Sequence, residues 1–156
     1  MTGQTVKIAS LCECGGMAVR QVNQFINRGE VWWDAEFSCD SCGAYRCEHA
    51  GPGSAPDDEW RRALLVAHGP VRLRLAGPVS SLVPALKVFR EVSGVSLPQA
   101  RALVEELSSD GVVGTLSEME LLKTWPQIRG VPVDIDRQVP RFARADCSSV
   151  VVGAGA

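Results

Sequence analysis

From residue 71 onward, apolar and polar positions fall into regular periods. Val71, Leu73 and Leu75 alternate with Arg72 and Arg74, which predicts a half-buried strand closed by Gly77-Pro78. Leu82, Leu86 and Phe89 then share one helical face, with Ala85 and Val92 beside it. Ser81 is placed to cap that helix, Pro84 fits its first turn, and Ser93-Gly94 stops it. Ser96-Leu97-Pro98-Gln99 is a capping-box sequence, opening a second helix that buries Ala100, Leu103, Val104 and Leu107. A short strand is expected over 111–114. A second capping box, Thr115-Leu116-Ser117-Glu118, opens a third helix with Met119, Leu122 and Trp125 facing in. Pro126 should end or kink it. Val131, Val133 and Ile135 alternate as a last strand. The order over 71–137 is therefore β-α-α-β-α-β, an α+β arrangement with a three-stranded antiparallel sheet packed on helices.

The first fifty residues carry the period of a β-ribbon. Residues 17–25 alternate loosely, Asn27-Arg28-Gly29 supplies a turn, and 30–37 returns as a strand rich in Trp and Phe. Trp32 and Trp33 are adjacent, so they point to opposite faces: one covers a core, the other meets solvent or a partner. The Pro/Gly/Ser-rich stretch 50–56 (AGPGSAP) marks a linker. A short helix follows over 57–68, capped by Asp57, with Asp58 and Glu59 at the positive end of its dipole. Trp60, Ala63, Leu64 and Ala67 form its inner face, His68 lies in its last turn, and Gly69 ends it.

Cysteine usage changes the picture. Five of the six cysteines fall within 12–47, and four of those sit in turn-like pairs. Three disulfides would suit an exported scaffold, but the opening MTGQTVKIASLC shows neither the charged nor the apolar region of an export signal. Clustering of this kind in a cytoplasmic protein favours metal. Cys39-Asp40-Ser41-Cys42-Gly43 has the C-x-x-C-G form of a zinc knuckle, with Gly43 free to take the positive φ such a turn needs. Cys12-Glu13-Cys14-Gly15-Gly16 is the partner turn, shorter by one residue. Cys12, Cys14, Cys39 and Cys42 are the leading ligands for a structural Zn2+, and Cys47 and His49 are spare candidates. A ribbon this small has too little core to fold well alone, which is the physical reason to expect metal. The expected organisation is a zinc ribbon over 1–50, a linker and short helix over 51–70, the mixed domain over 71–137 and a flexible tail over 138–156.

Charge excludes some partners. With 16 Lys and Arg against 18 Asp and Glu, the formal net charge is −2 and no basic stripe is present. Residues 1–50 hold four basic side chains and six acidic ones, which argues against nucleic-acid binding by the ribbon. The longest apolar runs are too short to span a bilayer, so a soluble cytoplasmic protein is expected.

The stretch running from Leu86-Lys87-Val88-Phe89-Arg90-Glu91-Val92-Ser93-Gly94 through Val95-Ser96-Leu97-Pro98-Gln99-Ala100-Arg101-Ala102-Leu103-Val104-Glu105 resembles the C-terminal domain of the bacterial acidic ribosomal stalk protein, the "seven/twelve" protein of the large subunit. The resemblance covers 71–137 and agrees with the element order read above. It implies that the first two helices form a surface that recruits translational GTPases, with Val83, Leu86, Lys87, Arg90 and Arg101 on or near it. Lys87 and Arg90, three apart, share a helix face, where they can dock an acidic helix or simply be solvated, with Lys87 paired to Glu91. The chain departs from that family at Leu82 and Pro98, where it has lysine. Residues 71–137 also balance eight basic side chains with eight acidic ones, where the stalk domain is acidic.

No phosphate loop, nucleophile elbow or H-E-x-x-H pattern is present, and Cys147 stands in a Ser/Gly-rich tail without a neighbouring His. The sequence therefore predicts no catalytic residues and no enzyme. The leading reading is a zinc-ribbon adaptor that docks a protein partner, either a translational GTPase or a ribosomal component. The alternative is an immunity or antitoxin protein that blocks a cognate toxin.

Overall fold

The computed structural model describes residues 3–125 and 130–137. It is a mixed α and β structure with a four-stranded sheet, a three-stranded sheet and four helices among those residues. Pro126, the tail over 138–156 and Cys147 lie outside the described residues.

The first sheet is an antiparallel meander, β1 (Gly3–Leu11), β2 (Met17–Asn27), β3 (Glu30–Cys39) and β4 (Tyr45–Pro52), in the order β1-β2-β3-β4. Two of these strands match the expected ribbon; β1 and β4 enlarge it on either side. Ala50, Gly51 and Pro52 pair with Asp34, Trp33 and Trp32, so β4 runs into the stretch expected as a linker. Proline is tolerated there because β4 is an edge strand.

Alternation sorts the sheet into two faces. Val22, Trp33, Ala35 and Phe37 are buried on one of them. Trp33 donates its indole N–H to the Gly53 carbonyl at 3.1 Å, while Trp32 projects from the opposite face, as adjacent strand residues must.

Helix α1 (Asp58–His68) closes over the buried face. Asp57 caps it, its carboxylate accepting from the Glu59 N–H at 2.8 Å. Trp60 and Leu64 enter one core with Val22, Trp33 and Ala35. Each large apolar side chain buried this way stabilises by about 1.5–3 kcal/mol, so α1 belongs energetically to the sheet and is no mere connection. Ala67, expected inside, is exposed.

The second half follows the expected order: β5 (Val71–Leu75), α2 (Val83–Ser93), α3 (Leu97–Ser108), β6 (Val112–Gly114), α4 (Leu116–Thr124) and β7 (Val133–Asp136). β5 lies between β6 and β7, antiparallel to both. Leu73, Ala85, Val88, Phe89, Ala100, Leu107, Val112, Met119 and Leu122 fill its core. Both capping boxes form, Ser96 with Gln99 and Thr115 with Glu118. Ser81 does not cap α2 as the cap residue itself; Leu82 holds that position, and the Ser81 hydroxyl accepts from the Val83 N–H at 3.2 Å.

The two halves touch. Helix α4 lies against β1, β2 and β3. The Leu116 N–H donates to Gln4 Oε1 at 3.3 Å, and Arg61 of α1 grips Glu118 of α4 through two bonds of 2.8 Å. His68 Nε2 lies 2.7 Å from the Thr5 carbonyl oxygen, tying the end of α1 to β1.

Candidate metal centre

The β1–β2 turn and the β3–β4 turn lie at the same end of the sheet because Ala18 pairs with Cys39 and Leu11 with Met17. Each turn is closed by the backbone of its first cysteine. Cys12 donates to Gly16 O and accepts from the Gly15 N–H; Cys39 donates to Ala44 O and accepts from the Gly43 N–H, all at 2.9 Å. The second turn is one residue longer, as the sequence spacing requires. Gly43 takes φ +73°, the left-handed value expected after a knuckle. At Gly16 the turns press together: a Cβ there would fall 2.6 Å from Ser41 Cβ and 3.2 Å from Cys14 Sγ.

The result is one cluster of four sulfurs. Cys12, Cys14, Cys39 and Cys42 each offer a sulfur, and all four lie within 4.8 Å of one another. Cys12 Sγ is 3.7 Å from Cys42 Sγ, and Cys14 Sγ is 3.7 Å from Cys39 Sγ. These pairs cross between the turns, so each turn contributes to both edges. A disulfide would bring the sulfurs to about 2.05 Å, and these thiols are free. Cys12 and Cys39 are buried in a small core with Ala18 and Phe37, whereas Cys14 and Cys42 are exposed. The four are thus close enough to hold a metal ion.

Backbone amides point at the sulfurs. The Cys42 N–H pulls the Cys39 thiol down to about 7, against the effect of burial and with help from the Ser41 N–H. The Gly16 N–H, 3.4 Å from Cys14 Sγ, lowers that thiol too. Hydrogen bonds shared with Cys12, Cys42 and Cys39 outweigh it and push Cys14 up to about 12. Four thiols crowded together cannot all ionise unless a cation neutralises them, so metal binding here must release protons.

The spare candidates sit elsewhere. Cys47 pairs in register with Glu36 and is exposed, while His49 pairs with Ala35 and turns its ring to Trp60, centroids 6.0 Å apart. A β-bulge at Ala35/Glu36 separates them, and neither belongs to the group of four. Backbone N–H groups aimed at the sulfurs are what the C-x-x-C-G knuckle implies for the Cys39 turn; the Gly16 donor, from the shorter turn, is not legible in the spacing.

The residues singled out on the helices fall as follows. Lys87, Arg90 and Arg101 are exposed, Val83 is exposed, and Leu86 is half-buried against the core. Lys87, Arg90, Glu91, Gly94 and Val95 line a shallow depression at the end of α2. No family model, curated protein or solved structure matches this chain. No helix among the described residues is long and apolar enough to cross a membrane.

Proposed function

We propose that Cys12, Cys14, Cys39 and Cys42 hold one structural zinc ion, and that the protein is a non-catalytic adaptor built on that closed site. The observation that carries the metal reading is the pair of 3.7 Å sulfur–sulfur edges. Four thiolates about 2.3 Å from a tetrahedral zinc are separated by about 3.75 Å, which these two edges match, and all four sulfurs lie within 4.8 Å of one another. Four protein ligands leave no open position for water or substrate, which makes the ion a fastener. Its effect is local and large, because the core beneath it consists of only Cys12, Ala18, Phe37 and Cys39 with Ala44 packed alongside.

The docking surface in this reading is α2 and the turn after it. Lys87 and Arg90 stand exposed on one side of the helix, beside the depression that Gly94 and Val95 help to line. The resemblance to the ribosomal stalk domain supports a translational GTPase or a ribosomal component as the partner. Affinity capture of the tagged, zinc-loaded chain from its own cells tests this, with a Lys87→Glu, Arg90→Glu double variant alongside. Loss of a ribosome-associated partner by about tenfold or more in the variant is the expected result. Undiminished capture would remove α2 as the surface. Stoichiometric recovery of one toxic, non-ribosomal protein would favour an immunity role instead.

A further inference from the structure

The outer face of the four-stranded sheet carries a second surface, remote in sequence from α2. Leu11 stands opposite Met17, Val19 opposite Ser38, and Ser38 opposite Tyr45, so these side chains leave the sheet on one side. Leu11 is 72% exposed, Met17 65%, Tyr45 63% and Val19 41%. The opposite side is the one filled by α1. Farther along the outer side, Thr5 donates to Asn23 Oδ1 and the Asn23 amide donates to Asp34, a polar ladder across three strands that bounds the apolar area. Four large apolar side chains gathered beside the cysteine turns are more than scattered surface residues.

We propose that this patch docks a protein segment whose apolar side chains are flanked by lysine or arginine.

Charge decides the chemistry of the occupant. Glu36 lies on the same side of β3, close to the Tyr45 hydroxyl. Exposed Glu13 and Asp40 belong to the two turns that border the patch. Asp34 closes the far side. Against these acids the outer side of β1 offers Lys7. A phosphate backbone or an anionic lipid surface would be repelled, whereas basic residues around an apolar centre would find carboxylates at the rim. Methionine and tyrosine at the centre suit such a contact, one adaptable and one a rigid, amphipathic anchor.

The test is a display library of random dodecapeptides selected on the full, zinc-loaded chain. Enriched sequences should combine apolar residues with flanking Lys or Arg. A synthetic peptide of the winning sequence should shift the backbone amides of Leu11, Met17, Val19 and Tyr45. Its affinity should fall about tenfold or more on a Met17→Ser, Tyr45→Ala double variant and on Glu36→Lys, and stay unchanged on Lys87→Glu. Zinc content and melting temperature establish that each variant is folded, and Val19→Ser is a milder substitute if the double variant is not. The proposal is overturned by a failure to enrich any peptide, by acidic winners, or by binding that survives the patch variants. A dimer that the Met17→Ser, Tyr45→Ala variant abolishes would make the occupant a second copy. Tighter binding of single-stranded DNA than of the selected peptide would make it nucleic acid.

Discussion

Arg61 and Glu118, 57 residues apart, are joined by two parallel hydrogen bonds of 2.8 Å that bind the helix on the first sheet to the last helix of the second. The Glu118 carboxylate also accepts from the Thr115 N–H at 3.0 Å, which completes the capping box of α4. The two residues should therefore differ in weight. Arg61, about two-fifths exposed, should cost about 0.5–1 kcal/mol when changed to Ala. Glu118→Ala loses both the pair and the cap and should cost about 1–2 kcal/mol. Urea unfolding of the two variants checks the order; equal losses would mean that the cap contributes nothing.

If α1 is part of the first sheet's core, truncating its anchor must be expensive. Leu64 is fully buried against Val22, Trp33 and Ala35. Leu64→Ala should cost about 2–5 kcal/mol, the range for a cavity in a packed core. The exposed neighbour Val66 changed to Ala should cost well under 1 kcal/mol. Comparable losses from both would return α1 to the status of a connecting segment.

What the sequence made legible was whatever local chemistry dictates. Both capping boxes, the Asp57 cap, the Gly94 stop and the alternation of Val71, Leu73 and Leu75 are contacts within a few residues, and each formed as read. The four cysteines could be named because a knuckle is likewise a local pattern. β1 escaped notice because polar Gln4 takes a buried position where alternation calls for an apolar one, its amide serving the Leu116 N–H of a distant helix. β4 escaped because Gly51 and Pro52 read as punctuation, although as an edge strand it can end on them. Cys47 and His49 looked equivalent in spacing, and only the bulge opposite Ala35 and Glu36 sends them apart. Partners supplied from far along the chain leave no local trace.

Backbone geometry supplies a sharper prediction at Gly111. It holds φ +94°, and a Cβ there would lie 2.6 Å from the Leu73 carbonyl oxygen. Both the strain and the clash with the central strand β5 argue that Gly111→Ala should cost about 1–3 kcal/mol. Thermal or urea unfolding gives the number, and a loss below about 0.5 kcal/mol would contradict the close approach.

Acid should weaken the first sheet through Glu48. Arg20 is hydrogen-bonded to its carboxylate and, with Arg46, holds Glu48 below its ordinary value of 4.5. A depressed carboxylate contributes stability that is complete above the unfolded value and is lost as pH falls through the lower folded one. The stability difference between the native chain and Glu48→Gln should be steady near neutrality, on the order of 1 kcal/mol for a half-buried pair. It should shrink once pH drops below about 4.5. Release of the proposed zinc ion in acid would affect both proteins alike and cancel in the difference. A difference that grows toward low pH would reverse the assigned sign.

The metal decides the account. Native mass spectrometry with elemental analysis, on the intact chain purified without added metal, should find one zinc ion per chain. Cys39→Ser should abolish it, and Cys47→Ser should leave it in place. Absence of any bound metal from a chain that still unfolds cooperatively, or an iron content in place of zinc, would contradict the proposed centre.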